Sequence, residues 1–429
     1  MNQPFQLSDA ALALALGLIL LSPFAIAGMA LQNSGLARSR SAAHSLLGVM
    51  SLLAAAAIFF LLLGSTWMGA AGQPAHIATV AGYAWDWCGK GAWLGGSLAG
   101  ASATSVLTLL LDLVLVGLAA IIPWGSGAER WRLGTAIAST FLVAGVLFPL
   151  LAHWVWAGGW LSTLGTTFGL GVGLLETSGA LPVHLLGGVT ALAIVWILGA
   201  RNGKFPKPQV ATAIPGHNVV YVLLSCPLTL VGWFGLNGAS ALLFLHLPQS
   251  QIPLVEINTL LCAGSALLGT LAITRFRFGK PDASLCANGW LGGLVASSAV
   301  AAHVSAGTAI VTGVLAGLLT PLLVELLELA FSIDDPSGGV SVHAGNAILG
   351  LLIVGVAAGK QGQLLAQIVG IATVIGFALP VSYLLNALVN RYLPYRVDPD
   401  GERVGLDVHE LGAGSYPEFI IHRDEFHSS

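Results

Sequence analysis

Long apolar segments dominate this sequence of 429 residues and leave few folds open to it. Hydrophobic residues make up 56% of the chain and charged residues only 8%, whereas soluble domains carry about 25% charged residues. So few charges could not cover the surface of a soluble protein of this length, but they suit a chain whose solvent is mostly lipid. The composition therefore predicts a membrane protein, and the usual division of length into soluble domains does not apply.

A helix needs about 20 predominantly apolar residues to cross the hydrocarbon of a bilayer. Eleven segments of the sequence meet this requirement. We therefore predict an all-α polytopic membrane protein with eleven transmembrane helices. The predicted segments are 8–32, 43–64, 92–122, 133–156, 179–200, 217–244, 252–274, 284–304, 306–331, 342–359 and 364–390.

Lys and Arg are distributed unequally between the two sides of these segments. If the N-terminus is outside, the inside loops and tail hold fourteen of the 16 Lys and Arg residues, and the outside loops hold only Lys90 and Lys360. Basic residues accumulate on the cytoplasmic side of membrane proteins, so we predict an N-terminus outside and a C-terminus inside, in the cytoplasmic membrane. The chain then divides into a transmembrane domain, residues 1–393, and a polar cytoplasmic tail, residues 394–429. The tail is either disordered or docked on the bundle.

Two short segments of the sequence resemble each other. Val183-His184 lies near the start of the fifth predicted span, and Val342-His343 lies near the start of the tenth. Two five-span halves have opposite orientations in the membrane, which is the layout of an inverted five-helix repeat whose interface carries the substrate path. One buried His would most simply be structural. Two at equivalent positions indicate a pore lining that could pass a small neutral hydrogen-bonding molecule or relay a proton.

Two carboxylates and one aromatic cluster are further candidates for a site. Asp112 lies within the apolar third span, where a carboxylate costs several kcal/mol unless it is paired, hydrated or protonated, so it should face the bundle interior or a wet cavity. Glu176 precedes the fifth span and either favours the helix dipole or organises a cation-recruiting vestibule. Trp154, Trp156 and Trp160 end the fourth span, where an aromatic belt or a cation–π site would place them.

Several motifs occur in an order that is typical of one family. They are Gly127-Ala128-Glu129-Arg130, His153-Trp154-Val155-Trp156-Ala157-Gly158-Gly159, Gly232-Trp233-Phe234-Gly235-Leu236-Asn237-Gly238-Ala239-Ser240, Asp334-Asp335-Pro336 and Gly405-Leu406-Asp407-Val408. With these motifs the chain resembles the Amt/Mep/Rh ammonium transporter family, specifically its bacterial Amt branch, over nearly its whole length.

The resemblance implies a homotrimer with one pore in each subunit. It implies that Trp156 and Ser240 form an outer cation site and that His184 and His343 form the twin-His pair of the pore. Glu176 takes the place of a structural aspartate of the family. Gly405, Leu406 and Asp407 look like the cytoplasmic tail that couples subunits and meets PII-type signalling proteins.

The sequence departs from the family pattern at its predicted gate. The family has two stacked phenylalanines in the pore, which align with Leu115 and Leu236 here. Glu176 is one methylene longer than the family's aspartate. Asp112 lies within one helical turn of Leu115, so we predict that it binds the cation and draws it inward past the altered gate.

Three alternatives to an ammonium transporter follow from these departures and from the chemistry of the chain. The first is an ammonium sensor or regulator with the same fold, and the second is a transporter of a related small amine or a gas. The third is a membrane-embedded enzyme, which the sequence disfavours because it shows no metal-ligand spacing, nucleotide loop or nucleophile motif. We expect no cofactor, no metal and, because there is no basic run, no nucleic-acid partner.

Overall fold

The computed structural model describes residues 7–91, 93, 101–207 and 210–416. Most of these residues are helical, and ten helical stretches among them are long and apolar enough to cross a membrane. The prediction of an all-α polytopic membrane protein is therefore confirmed. The ten stretches are Asp9–Leu36, Ser39–Met68, Ala103–Ser126, Leu133–Trp156, Ala180–Leu198, Val219–Leu243, Gln249–Phe278, Ala306–Ala330, Gly339–Ala357 and Gln363–Tyr392.

The eighth predicted span, 284–304, is not one of these ten, although a helix of 18 residues, Ala283–Val300, occupies most of it. From Cys286 onward every residue of this helix except Trp290 is buried. A helix that neighbouring helices shield from lipid can carry polar residues such as Asn288 and Ser298. The exact count of eleven and the orientation in the membrane stay predictions.

The helices have the following bounds in chain order. They are α1 (Asp9–Leu21), α2 (Pro23–Leu36), α3 (Ala42–Phe59), α4 (Ser65–Met68), α5 (Ala103–Ser126), α6 (Leu133–Leu142), α7 (Phe148–Trp156), α8 (Leu164–Phe168), α9 (Leu186–Leu198), α10 (Val219–Leu243), α11 (Ile252–Phe278), α12 (Ala283–Val300), α13 (Ala306–Glu325), α14 (Gly345–Ala357), α15 (Gln363–Thr373), α16 (Leu379–Tyr392), α17 (Pro399–Val404) and α18 (Leu406–Leu411). Short 3-10 turns lie at Ser39–Ser41 and Gln249–Gln251. Six π-helical turns lie within this part of the chain, at Phe60–Gly64, Val143–Leu147, Ala180–Leu185, Leu326–Ala330, Gly339–Ala344 and Val374–Ala378.

The third predicted span differs from its helix at the start. The prediction began at residue 92, whereas α5 begins at Ala103, and residues 92 and 94–100 lie outside the described residues. Ser102 caps the helix, because its hydroxyl accepts a hydrogen bond from the backbone N–H of Ser105 at 3.2 Å. The helix therefore starts about three turns later than the apolar run of the sequence suggested.

A β-hairpin that the sequence analysis did not predict joins the second and third spans. Strand β1 (Ala75–Val80) pairs antiparallel with β2 (Tyr83–Gly89). The two connecting residues, Ala81 and Gly82, both have positive φ, at 51° and 82°. Two positive φ values in a two-residue loop match the right-handed twist of the paired strands. We refer to this end of the bundle as the hairpin end, and to the opposite end, where the C-terminal residues pack, as the tail end.

Small residues let the helices approach closely. A Cβ on Gly232 of α10 would lie 1.9 Å from the backbone nitrogen of Ala25 in α2, and one on Gly188 of α9 would lie 2.6 Å from the Cβ of Ala344. In a bilayer, helix association relies on such close packing because lipid is as apolar as the side chains. At these two positions, out of 55 glycines in the chain, glycine therefore permits direct contact between helices.

Residues 394–416 pack against the tail end of the bundle. Tyr395 is fully buried and stacks on Trp131, with ring centroids 5.6 Å apart. The backbone N–H of Arg132 donates to the Tyr395 carbonyl at 2.9 Å. Of the two alternatives that the sequence left open, this part of the tail is docked, while residues 417–429 lie outside the described residues. The division of the chain at residue 394 stays a prediction.

Candidate functional site

Two buried histidines face each other inside the bundle. His184 lies in the π-helical turn Ala180–Leu185, and His343 lies in the turn Gly339–Ala344. Their Nδ1 atoms are 3.2 Å apart, and neither residue is more than 2% exposed. Because a hydrogen bond needs one donor and one acceptor, one Nδ1 carries a hydrogen that the other accepts, and the pair needs no net charge. The structure therefore brings together the two histidines that the sequence singled out.

Equivalent backbone turns hold the two histidines. A glycine with positive φ precedes each by five residues, Gly179 at 99° and Gly338 at 80°, and such a conformation favours glycine. The N–H of His184 donates to the Gly179 carbonyl at 2.9 Å, and that of His343 donates to the Gly338 carbonyl at 3.2 Å. The resemblance between the two sequence segments is thus also a resemblance in local structure. The full five-helix repeat stays a prediction.

A carboxylate caps each of these turns, eight residues before its histidine. Glu176 accepts hydrogen bonds from two backbone N–H groups of the turn before His184, at 3.1 and 3.0 Å. Asp335 accepts from two backbone N–H groups before His343, at 2.9 and 3.1 Å. Burial raises the pKa of Glu176 to about 7, although its backbone hydrogen bonds oppose the rise. The sequence analysis did not select Asp335 as a site residue, but its spacing from His343 equals that of Glu176 from His184.

Two further side chains surround His184, and neither was a predicted site residue. The Ser298 hydroxyl of α12 lies 3.3 Å from Nε2 of His184 and accepts a hydrogen bond from Nε1 of Trp233 at 3.0 Å. The Trp233 ring stacks nearly parallel to the imidazole, with centroids 5.5 Å apart. These contacts fix the orientation of His184. The only sequence signal for them was that Trp233 belongs to the motif of α10.

A cavity of about 560 Å³ opens at the hairpin end. We name it the hairpin-end cavity. The residues that line it are Phe60, Ser65, Met68, Gly69, Ala70, Ala71, Gln73, Pro74, Lys90, Gly91, Ala101, Thr104, Ser105, Thr108, Leu109, Asp112, Trp156, Ala157, Leu243, Phe244 and His246. Of the predicted substrate-binding residues, Asp112 and Trp156 line this cavity and Ser240 does not.

Trp156 presents only part of its ring to the hairpin-end cavity. Phe244 stacks on the indole with centroids 4.4 Å apart and planes at 11°, so one face is covered. A cation–π contact would therefore use the other face. Ser240 lies one helical turn before Phe244 and is fully buried, and its hydroxyl has no hydrogen-bond partner among the described residues. The structure does not bring Trp156 and Ser240 together around this cavity.

Asp112 is the buried carboxylate of the hairpin-end cavity. It is 5% exposed, and its Oδ1 atom has no hydrogen-bond partner in the part of the chain that the structure describes. A buried carboxylate without a paired cation is costly in an apolar surrounding. Its position agrees with the expectation that it faces a cavity, and a hydrogen-bond donor in the cavity could satisfy its Oδ1 atom.

The two leucines at the predicted gate lie in the apolar core of the bundle. Leu115 in α5 is 0% exposed and Leu236 in α10 is 1% exposed. Both belong to the same cluster of buried hydrophobic residues, and neither lines the hairpin-end cavity. Both predicted gate positions are therefore occupied by buried apolar side chains.

The three predicted tail residues contact the start of α3 and the 3-10 turn before it, at the tail end. Gly405 has φ of 106°, and a Cβ there would lie 2.4 Å from the carbonyl oxygen of Arg40, so this position requires glycine. The N–H of buried Leu406 donates to the Ser41 hydroxyl at 3.2 Å. Asp407 is also buried and accepts from the N–H of His44 at 2.7 Å, which caps the first turn of α3.

A group of charges, all buried except the partly exposed Arg38, also lies at the tail end. We name it the tail-end charge cluster: Arg38, Glu129, Arg130, Arg201 and Asp334. Arg201 donates to Asp334 through Nε and Nη2, both at 2.9 Å, and to Glu129 through Nη1 at 2.7 Å. Nη1 of Arg130 lies 3.7 Å from Asp334, and Arg38 pairs with Glu129. Two of the motifs that carry the family resemblance therefore meet in one ion-pair network.

Comparisons with known proteins agree with this arrangement. Residues 12–416 match the model of the Ammonium Transporter Family. The chain is 30% identical to ammonium transporter Amt2 of Archaeoglobus fulgidus, over 94% of this chain and 87% of that protein. It is 31% identical to ammonium transporter Amt2 of Haloferax mediterranei, over 92% of this chain and 87% of that protein.

The fold is similar to a solved structure described as a sensor Amt protein. The TM-score is 0.84 at 24% identity, and the match covers 93% of this chain and 98% of that one. This likeness shows the fold alone, whereas the family model spans nearly the whole sequence. The chain therefore belongs to the Ammonium Transporter Family, as the resemblance in its sequence predicted.

Proposed function

We propose that this protein carries ammonium across the cytoplasmic membrane through a twin-His pore. The cation is recruited in the hairpin-end cavity, which faces outside in the predicted orientation, and loses a proton there. Neutral ammonia then passes along His184 and His343. The observation that carries the proposal is the pair of fully buried imidazoles with Nδ1 atoms 3.2 Å apart.

Deprotonation is the step that makes an apolar path usable. Transfer of an isolated ammonium ion from water to a medium of low dielectric costs up to tens of kcal/mol in the Born limit. Ammonia carries no charge and can still hydrogen-bond to a neutral imidazole, whose two nitrogens together offer one donor and one acceptor. The proton crosses separately, through the shared hydrogen of the His184–His343 pair.

Recruitment of the cation depends on two residues of the hairpin-end cavity. Asp112 supplies a carboxylate whose Oδ1 atom lacks a donor among the described residues, and Trp156 supplies the indole face that Phe244 does not cover. A carboxylate and an aromatic face both attract a cation, and both interactions are stronger where water is excluded. The unpartnered hydroxyl of Ser240 would accept a hydrogen bond from ammonia on its way inward.

The test is the current that an ammonium jump evokes in proteoliposomes. Wild type should give a current, and the double variant His184→Ala, His343→Ala should lose it or lose its selectivity. His76→Ala removes an exposed imidazole in β1 and should keep the wild-type current. A double variant that folds correctly and still carries a selective current would overturn the twin-His route.

A second candidate function is that of an ammonium sensor or of a transporter for a related small amine or gas. Leu115 and Leu236 favour this candidate, because they replace both aromatic residues of the family's gate and are fully buried. Absence of current from correctly folded wild type that still binds ammonium would favour the sensor. A larger current with methylammonium than with ammonium would favour the altered substrate.

The assembly and regulation that the family implies are also proposals. We propose a homotrimer and a PII-type signalling partner at the tail end. The contact of Leu406 and Asp407 with the start of α3 supports a route by which a partner on the tail could act on the bundle. Mass measurement of the purified protein in detergent tests the trimer, and co-purification with a PII-type protein tests the partner.

A further inference from the structure

One imidazole at the hairpin end joins three parts of the chain. Nδ1 of His153, in α7, lies 2.7 Å from the carbonyl oxygen of Met68, the last residue of α4. Nε2 of the same ring lies 2.8 Å from Oδ1 of Asp86 in β2. His153 is 1% exposed and the Asp86 side chain is 25% exposed. Beside this contact, Nε1 of Trp154 donates to the carbonyl of Trp87 at 2.6 Å.

The segments that His153 joins are those that wall the hairpin-end cavity. Residues 68–71, 73 and 74 before β1 and residues 90 and 91 after β2 line the cavity, and so does Trp156, three residues after His153 on the same helix. The two feet of the hairpin touch at Gly69 and Gly89, where a Cβ on either would lie within 3 Å of the other's Cα. A shift of the hairpin relative to α7 would therefore change the position of the cavity wall against Trp156.

The contact also holds a proton. The carbonyl oxygen of Met68 can only accept, so Nδ1 of His153 must donate to it. An ionised Asp86 also only accepts, so Nε2 must donate as well. The pair therefore carries one proton more than a neutral imidazole beside a carboxylate. Loss of this proton would place a lone pair of Nε2 against the carboxylate of Asp86.

We propose that the His153–Asp86 pair is a proton-holding latch that fixes the hairpin against α7 and thereby sets the affinity of the hairpin-end cavity for its cation. His153 acts as a positioning residue, since it lines neither the cavity nor the His184–His343 pair. The proposal rests on the function proposed for the cavity.

Few other titratable groups face this helix. Among the elements that pack most closely on α7, α4 and the turns Phe60–Gly64 and Val143–Leu147 carry none. Strand β2 carries Tyr83, Asp86 and Cys88, and the turn Ala180–Leu185 carries His184. Asp86 is the one of these that contacts the ring of His153, so its substitution is the direct test.

Asp86→Ala and Asp86→Asn separate the latch from a general structural role. An Asn amide can donate to an unprotonated Nε2, so Asp86→Asn keeps the contact without the extra proton. We would measure the ammonium concentration for half-maximal current in wild type and in both variants. Asp86→Ala should raise this concentration about tenfold, as loss of a charge-assisted hydrogen bond predicts, with the maximal current unchanged. Asp86→Asn keeps a hydrogen bond to His153 and should stay close to the wild-type value.

Hydrogen exchange of residues 75–89 at one pH reports on the latch without any transport. Faster exchange in Asp86→Ala than in wild type and Asp86→Asn would support the latch. If no current is seen in the same proteins, that result counts against the proposed function and not against the latch. Equal protection of the hairpin in all three proteins would overturn the proposal. So would an ammonium concentration for half-maximal current that is the same in Asp86→Ala as in wild type.

Discussion

Removal of one carboxylate from the tail-end charge cluster should destabilise the protein strongly. Asp334 accepts three hydrogen bonds from Arg201, from its backbone N–H, Nε and Nη2, each at 2.9 Å. The two side chains are 1% and 4% exposed. Asp334→Asn would keep one oxygen acceptor and turn an amide N–H₂ toward the guanidinium. Arg130 would also lose its nearby negative charge.

Asp334→Asn should lower the free energy of unfolding by about 3–5 kcal/mol, the range found when one partner of a buried ion pair is removed and the other stays charged. Glu325→Gln is the matched control. Its carboxylate lies 2.7 Å from Arg277, but the two side chains are 30% and 37% exposed, and such exposed pairs contribute about 0–1 kcal/mol. Loss of a carboxylate charge should therefore lower the free energy of unfolding several-fold more at Asp334 than at Glu325.

Thermal unfolding of the two variants in one detergent measures this difference. Burial acts to raise the pKa of Asp334, but the Arg130 and Arg201 guanidiniums outweigh it and hold the pKa well below its ordinary value. A depressed pKa stabilises the fold above the pKa of the unfolded carboxyl, and that stability is lost as pH falls. The difference in stability between wild type and Asp334→Asn should therefore become smaller as pH falls. Equal destabilisation by both substitutions, or a gap that grows on acidification, would refute the reasoning.

Three other substitutions test packing, tail docking and the cap before His184. Gly232→Ala should lower the free energy of unfolding by about 1–3 kcal/mol, because its Cβ would overlap the backbone of α2. Gly264→Ala is the control: a Cβ there has no atom within 4 Å, so the change should be neutral or stabilise by up to about 1 kcal/mol. Equal melting temperatures of the two variants would contradict this prediction. Asp407→Ala should cost about 1–2 kcal/mol and speed proteolysis of the tail, and unchanged cleavage would argue against the cap. Because the pKa of Glu176 is raised to about 7, wild type should lose stability as pH rises from about 4.5 to about 7. Glu176→Gln should lack this loss, so parallel pH–stability curves would contradict it.

The sequence predicted the features that depend on local composition. Apolar length located ten of the eleven spans at helices that can cross a membrane, and the echo between the segments at His184 and His343 pointed to a pair that is in contact. Both signals are strong because polar groups are rare in this chain. A histidine or a carboxylate in an apolar segment is conspicuous when only 8% of residues are charged.

Other contacts between distant segments were not predictable. The hairpin 75–89 occupies a stretch too short and too polar to be a span, and nothing in it pointed to a partner in α7. Trp156 and Ser240 were paired by motif, but the stacking of Phe244 on the indole is set by how α7 and α10 pack. Asp335 was missed because it lies beside Asp334 in one motif, and only the structure separates a capping carboxylate from an ion-paired one.

Docking of the tail has a consequence for how the chain matures during synthesis. The cap that Asp407 gives to His44 joins residues 363 positions apart, and Glu410 accepts from the N–H of Leu133 at the start of α6 across 277 positions. At about 5–20 residues per second, ribosomes need roughly 20–70 s to make the first of these intervals. The starts of α3 and α6 therefore lack these hydrogen bonds until residues 407 and 410 have been synthesised. A chain released before that point would have a structural defect in its first half, far from the site of truncation.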